Sequence, residues 1–130
     1  MNIGEAAACS GLPTKTIRYY EDVALIPAPA RTGAGYREYS DRDVHILRFI
    51  HAARSLGFTV EECRELVSLY LDPGRSSAEV KTIALGTLAR IDHKIAELTA
   101  MRTALADLAA KCHGTERPNC PILDGLARQR

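Results

Sequence analysis

Two cysteines near the end of the chain have the type and spacing that metal binding requires. Cys112 and Cys120 flank a stretch with a glycine and a proline, so the chain can turn and bring the second thiol back to the first. Two thiolates in one small loop suit a soft metal ion. A structural zinc site normally takes four ligands, and this loop adds only His113 to the two cysteines. The donor set therefore favours two-coordinate binding of monovalent copper, silver or gold.

Other uses of the two thiols remain open at this point. They could form a disulfide and act as a redox sensor, because a loop of this length can close such a bond with little strain. An enzyme with Cys112 as its nucleophile would need a histidine and an asparagine or aspartate in a triad-like arrangement, which the sequence does not indicate. We therefore expect no enzyme. Two cysteines near one end of a chain can also be incidental.

A second set of candidate residues, suited to DNA binding, lies in the first 40 positions. Arginine and lysine side chains can read guanine or neutralise phosphate, and tyrosine hydroxyls can contact phosphate and fix the register of the protein on the duplex. One group lies on a predicted helix and the other in a glycine-containing segment after it. The first group is Thr14, Lys15, Thr16, Arg18, Tyr19 and Tyr20, and the second is Arg31, Tyr36, Arg37 and Tyr39.

Charge alone does not support DNA binding. The formal net charge of the chain is +1, so no overall basic excess attracts phosphate. Within the first 40 residues the acidic and basic side chains cancel. The acidic residues are Glu5, Glu21, Asp22 and Glu38, and the basic ones are Lys15, Arg18, Arg31 and Arg37. DNA binding must therefore depend on where these groups are placed.

The order of elements supplies that placement. Helical patterns over residues 3–9 and 14–23 surround a glycine-containing turn, as in a helix-turn-helix. Residues 33–39 alternate after two glycines, which predicts a small hairpin or wing. Ser40 with Asp43, and Thr59 further on, predict the N-caps of two supporting helices. We therefore predict a mostly α-helical chain that begins with a winged helix-turn-helix DNA-binding domain over residues 1–70.

A long helix follows. Residues 76–111 contain no proline and one glycine, and their apolar side chains keep a spacing of four and three. Such a helix would be about 50 Å long, too long to bury its apolar stripe against its own chain. We predict a linker or hinge over 71–78, a dimerisation helix over 79–111 that forms a coiled coil with a partner helix, and a metal-binding loop with a short C-terminal helix over 112–130.

Composition and length restrict the class further. The apolar runs are shorter than the roughly 20 residues that a bilayer span requires, and the first residues lack the pattern of a signal peptide. We therefore expect a cytoplasmic protein with no membrane partner. In that reducing compartment its 4 cysteines are not expected to form a structural disulfide framework. Cys9 and Cys63 lie on apolar helix faces and are expected in the core.

The sequence resembles the MerR family of transcription regulators along most of its length. The segments that carry the resemblance are IGEAA at 3–7, TIRYYE at 16–21, LI at 25–26, GYREY at 35–39 and LGF at 56–58. The resemblance implies a homodimer, held by antiparallel pairing of the long helices, that binds a palindrome in promoter DNA. It also implies activation by distortion of the DNA, so that RNA polymerase can engage the promoter. A passive DNA-binding dimer without an effector is the alternative.

The loop from Cys112 to Cys120 resembles the copper-responsive branch of this family. In the divalent-metal branch a cysteine stands at the position that matches Ser77. Serine cannot supply a third thiolate, so the resemblance implies a copper(I)-responsive activator of copper efflux genes, with silver(I) or gold(I) as surrogates. Two thiolates and a monovalent ion carry a net charge of −1, for which Ser77 and Lys81 at the start of the partner's long helix would compensate. His113 is expected to support the site from outside the ligand set.

Overall fold

The computed structural model describes residues 1–128. Within them the chain forms helices and one short hairpin, which confirms the predicted mostly α-helical class with a winged helix-turn-helix. The helices and strands are α1 (Ile3–Ser10), α2 (Thr14–Asp22), β1 (Ala30–Arg31), β2 (Arg37–Glu38), α3 (Asp41–Ser55), α4 (Val60–Leu71), α5 (Ser77–Lys111) and α6 (Pro121–Ala127). Residues 129 and 130, which the predicted C-terminal segment includes, lie outside the described residues.

The helix-turn-helix is formed by α1 and α2. The side chain of Asn2 caps α1, because its Oδ1 atom accepts a hydrogen bond of 2.8 Å from the backbone N–H of Glu5. The helix ends at Gly11, whose φ of 78° lies in the left-handed region that glycine adopts without strain. Leu12 is buried in the turn that follows, and Pro13 is the N-cap residue of α2. The turn therefore has its own buried anchor.

The wing is a two-stranded antiparallel hairpin. Ala30 of β1 lies opposite Glu38 of β2, and Arg31 lies opposite Arg37. The backbone N–H of Gly35 donates to the carbonyl oxygen of Thr32 at 2.9 Å. Gly35 has a φ of 85°, a conformation that β-carbon-bearing residues rarely adopt. The predicted hairpin is confirmed.

Both predicted N-caps are confirmed as capping boxes. The hydroxyl of Ser40 accepts a hydrogen bond from the N–H of Asp43, and the Asp43 carboxylate accepts one from the N–H of Ser40, so α3 begins with both donors satisfied. Thr59 and Glu62 make the same exchange at the start of α4. Two helices that support α1 and α2 thus begin at positions that local side chains determine.

The core lies among α1 to α4. Cys63 is fully buried, as predicted. The prediction that Cys9 is also in the core is wrong, because its side chain is exposed. Ser10 takes the buried position instead, and its hydroxyl accepts a hydrogen bond from the N–H of Leu12. The apolar core residues are Ala6, Leu12, Ile17, Tyr20, Leu25, Ile26, Tyr39, Val44, Ile46, Leu47, Ile50, Ala53, Cys63, Leu66 and Val67.

Arginines from α3 and α4 bind carbonyl groups at the ends of neighbouring helices. Arg48 donates from Nε to the carbonyl oxygen of Cys9 at 2.7 Å. Arg64 donates to the carbonyl oxygens of Val23 and Ala24, at 2.9 and 2.7 Å, just after α2 ends. Ala24 has a φ of 56°, so these contacts hold a strained residue in place. Cations at helix C-termini also interact favourably with the helix dipole.

Two compact units share the long helix, the first over Met1–Thr87 and the second from Leu88 onward. The predicted single helix is confirmed over Ser77–Lys111. Within the first unit Thr87 is buried, and its hydroxyl lies 3.1 Å from Oε2 of Glu62, to which it donates. Beyond it the apolar stripe is exposed. Its members are Leu88, Ile91, Ile95, Leu98, Met101 and Leu105.

The second unit ends in α6, which packs against α5. A β-carbon on Gly125 would lie 2.6 Å from Cδ2 of Leu108, so the absence of a side chain permits this close approach. No helix in the described part of the chain is both long and apolar enough to cross a membrane.

Candidate DNA-binding surface and metal centre

The predicted DNA-binding helix, α2, has one buried and one exposed face. Ile17 and Tyr20 are buried in the core, three residues apart. Lys15, Arg18 and Tyr19 are exposed on the other side, while Thr14 and Thr16 are half-buried at its start. A helix with this exposed set can enter a major groove and offer donors to bases and phosphates.

The wing adds a second exposed group. Tyr36, beside the hairpin turn, is 72% exposed. Arg31 is half exposed, and one of its guanidinium nitrogens donates to the carbonyl oxygen of Gly35 at 3.2 Å. An exposed guanidinium and an exposed phenol are groups that can donate hydrogen bonds to phosphate.

Two of the predicted DNA contacts belong to the core instead. Tyr20 and Tyr39 are 5% and 2% exposed. The phenolic oxygen of Tyr39 is buried and has no hydrogen-bond partner among the described residues, and burial raises its pKa. The prediction that these tyrosines contact DNA is wrong. Helical spacing from the apolar Ile17 was a signal for the burial of Tyr20, whereas Tyr39 follows the last residue of β2.

Arg37 is held by a residue that the sequence did not single out as part of a site. Its Nε atom donates to Oε2 of Glu21 at 2.9 Å, and this hydrogen bond raises the pKa of Arg37. The other carboxylate oxygen of Glu21 lies 3.9 Å from a guanidinium nitrogen of Arg31. The Glu21 side chain is only 11% exposed. The charge balance of the first 40 residues therefore includes direct ion pairs between α2 and both strands of the wing.

The two predicted metal ligands are adjacent. Cys112 follows the last residue of α5, and Cys120 immediately precedes α6. Their Sγ atoms are 3.9 Å apart and both side chains are half-buried. The intervening loop reverses with the help of Gly114, whose φ is 66°. One ion bonded to both sulfurs can span this separation with bonds of ordinary length.

The surroundings of Cys120 favour the thiolate. The backbone N–H groups of Leu123 and Ile122, at the start of α6, and the Cys112 thiol lower the pKa of Cys120, and they outweigh the opposing effect of burial. The thiolate is the form that binds metal. The residues present therefore fit a soft cation.

The remaining predicted contributors lie outside the thiol pair. His113 is exposed and lines a groove with Lys111 and Arg117. Ser77 and Lys81 are exposed in the first turns of α5. Among residues 1–128 no group of three or more histidine, cysteine, aspartate or glutamate side chains is arranged to hold a metal ion. Within residues 1–128 of one chain, the loop therefore offers the thiols of Cys112 and Cys120 and no four-ligand zinc site.

Comparison with known proteins identifies the family. The profile described as MerR HTH family regulatory protein matches residues 1–69, and the one described as MerR, DNA binding, matches residues 44–108. The chain belongs to the MerR family. Its members are DNA-binding transcription regulators and not enzymes. The family therefore confirms the predicted DNA binding and the expectation that the chain is not an enzyme.

Relatives in this family match nearly the full length of this chain. The HTH-type transcriptional regulator HmrR of Rhizobium leguminosarum bv. viciae is 58% identical, with 98% of each chain covered. The HTH-type transcriptional regulator CueR of Yersinia pestis is 43% identical over 98% of this chain and 91% of its own. The transcription regulator PbrR691 from Ralstonia metallidurans CH34, solved in complex with lead(II), has a TM-score of 0.83 and 32% identity, with 97% and 98% of the two chains covered.

The burial of Tyr39 gives a direct test of the DNA-binding surface. We expect Tyr39→Phe to leave DNA affinity within about twofold of the original, because the buried hydroxyl makes no hydrogen bond in the described residues. Tyr36→Phe should weaken binding by roughly threefold to tenfold, because it removes an exposed hydroxyl from the wing. Fluorescence anisotropy with a duplex selected from a random pool by the unaltered protein measures both. A large loss in Tyr39→Phe alone would contradict this assignment.

Proposed function

We propose that this MerR-family regulator is a copper(I)-responsive transcription activator, with silver(I) and gold(I) as surrogate ligands. The observation that carries the proposal is the pair of half-buried sulfurs of Cys112 and Cys120, 3.9 Å apart, with no third metal-ligating side chain grouped with them in residues 1–128. Two soft donors suit a soft monovalent cation, whereas zinc sites take more ligands. The solved relative with lead(II) supports metal sensing in general. The choice of copper(I) depends on the donor set and on the resemblance of the loop to the copper-responsive branch.

The charge of the filled site requires compensation. Two thiolates and one monovalent ion carry a net charge of −1, which is costly to bury alone. Ser77 and Lys81 stand in the first turns of α5, where the helix dipole is positive. In our proposal this end of the partner's α5 lies against the loop, and Lys81 supplies the balancing charge. His113 is exposed and acts at the rim of the site.

The exposed stripe on α5 supports a homodimer. From Leu88 to Leu105 its large apolar side chains remain between 38% and 65% exposed. A continuous apolar stripe of this length is typical of a surface that a second helix covers. In our proposal two copies pair through antiparallel α5 helices and present two winged helix-turn-helix domains to a promoter palindrome. Metal binding then favours a conformation that bends the DNA, so that RNA polymerase engages the promoter of copper efflux genes.

Metal selectivity provides the test of the two-thiol site. In an anaerobic titration of the reduced protein against a competing chelator, we expect one copper(I) ion per chain and no comparable zinc(II) binding. Replacing both Cys112 and Cys120 by serine should abolish the copper(I) binding, because it removes both donors. Replacing the exposed Cys9 and the buried Cys63 by alanine provides the matched control, and neither change should affect the stoichiometry. Copper(I) binding that survives loss of both loop cysteines would refute the assignment.

Position 77 tests how monovalent selectivity arises. We expect Ser77→Cys to raise the affinity for mercury(II) or zinc(II) by at least tenfold, because it adds a third thiolate to the proposed site. Competition titration against a chromophoric chelator measures the change. Ser76→Cys, one residue earlier and outside α5, is the control and should leave both affinities near those of the original protein. An unchanged mercury(II) and zinc(II) response in Ser77→Cys would count against the proposed position of the partner's helix.

The same sulfur separation also favours a second candidate, a thiol redox sensor. Cys112 and Cys120 need to approach by less than 2 Å to form a disulfide with its bond of about 2.05 Å. The two thiols would lose two protons and two electrons to an oxidant such as hydrogen peroxide, which is reduced to water.

In vitro transcription separates the copper(I) sensor from the redox sensor. We expect activation with copper(I) under reducing conditions, and none with peroxide in the presence of a metal chelator. The reverse result would favour the redox sensor. If the shape of the promoter DNA were the same with and without metal, a passive DNA-binding dimer would be indicated.

A further inference from the structure

Glu21 joins the DNA-binding helix to the wing. It lies in the last turn of α2, and its carboxylate contacts Arg37 of β2 at 2.9 Å and Arg31 of β1 at 3.9 Å. The side chain of Glu21 is 11% exposed and that of Arg37 is 27% exposed. One carboxylate therefore reaches both strands of the hairpin from a helix that precedes it in sequence.

A carboxylate is electrostatically unfavourable at this position unless it is paired. Glu21 stands near the C-terminal end of α2, where the helix dipole is negative. Glu21 joins two elements that carry exposed DNA-binding candidates, Lys15 and Arg18 on α2 and Arg31 and Tyr36 on the wing. Phosphates next to it would be repelled, so the residue reduces general attraction to nucleic acid.

The two arginines differ in what remains available to DNA. Arg37 uses Nε for the short hydrogen bond to Glu21, which fixes the orientation of its guanidinium plane. Arg31 lies farther from the carboxylate and is half exposed, so its guanidinium can turn to a phosphate. The pair of Glu21 and Arg37 thus fixes the wing, and Arg31 remains a phosphate ligand.

We infer that Glu21 is a positioning residue that determines DNA specificity by holding the wing on α2 and by cancelling arginine charge that would otherwise bind any phosphate backbone. Through Arg37 it keeps the helix and the wing in one arrangement, so both fit a single site at once. Through its charge it weakens binding to unrelated sequences. The inference depends on the DNA binding of the family and is independent of which metal acts as the effector.

The test is Glu21→Gln, which keeps the shape of the side chain and removes its charge. We expect affinity for a random duplex to rise by roughly threefold to tenfold, and its dependence on salt concentration to steepen by about one phosphate contact. Affinity for a selected duplex of the same length should stay unchanged or fall, so the ratio of specific to non-specific affinity drops at least threefold. Fluorescence anisotropy at several salt concentrations, without added metal, measures all three quantities.

Glu38→Gln is the matched control. Glu38 lies on β2 next to Arg37, is exposed, and makes no ion pair with another described residue. The Glu38→Gln change removes one negative charge from the wing, as Glu21→Gln removes one beside it, and leaves the contact between Glu21 and Arg37 in place. We expect both affinities to rise together in this variant and their ratio to stay within about twofold of the original.

A second variant separates positioning from loss of fold. Arg37→Gln should also lower the ratio, and the double variant Glu21→Gln, Arg37→Gln should lower it no further than Glu21→Gln alone, because Arg37 positions the wing only through its contact with Glu21. Circular dichroism on each variant verifies the helical content. An unchanged ratio in Glu21→Gln, or an equal loss in Glu38→Gln, would overturn the inference. Full additivity of the two single changes would do the same.

Discussion

The long helix α5 imposes the constraint on which the rest of the protein depends. A helix of 35 residues extends about 50 Å, and a chain of 130 residues has too few other elements to cover it. The first unit buries Thr87 on it, and α6 packs near Leu108, but the stripe between them remains exposed. The homodimer that we propose would cover this stripe with the same stripe of a second copy.

Arginine has a mainly structural use in the first unit. Arg48 and Arg64 bind carbonyl groups at helix ends, and Arg37 is held by Glu21. Over the whole chain, 17 lysine and arginine side chains are nearly balanced by 16 aspartate and glutamate side chains, which leaves a net charge of +1. A protein of this kind binds DNA through the placement of a few donors on a rigid frame, and non-specific attraction contributes little.

Most of the fold could be predicted from the sequence, because its local signals agree with its packing. The capping residues Ser40 and Thr59, the glycine-containing hairpin and the uninterrupted long helix each determine structure through nearby atoms. The adjacency of the two loop thiols was predictable because one short reversal separates them. The errors concern side chains whose environment distant residues decide. Tyr39 and Cys9 could not be assigned from residue type alone, and the contact of Glu21 with Arg37 joins positions 16 apart in the chain.

Glu62 accepts one hydrogen bond at the start of α4 and another from α5, and together these fix the number of residues that precede Thr87 in α5. One of its carboxylate oxygens accepts the N–H of Thr59 and the other accepts the hydroxyl of Thr87. A residue inserted between Ser77 and Thr87 would rotate that hydroxyl by about 100° about the helix axis and carry it away from the carboxylate. The five residues between α4 and α5 are held by short-range hydrogen bonds, from Gly74 to Asp72 and from Arg75 to Asp72 and Tyr70. Length variation in evolution should therefore accumulate in that connector, while the first ten residues of the helix keep a constant count.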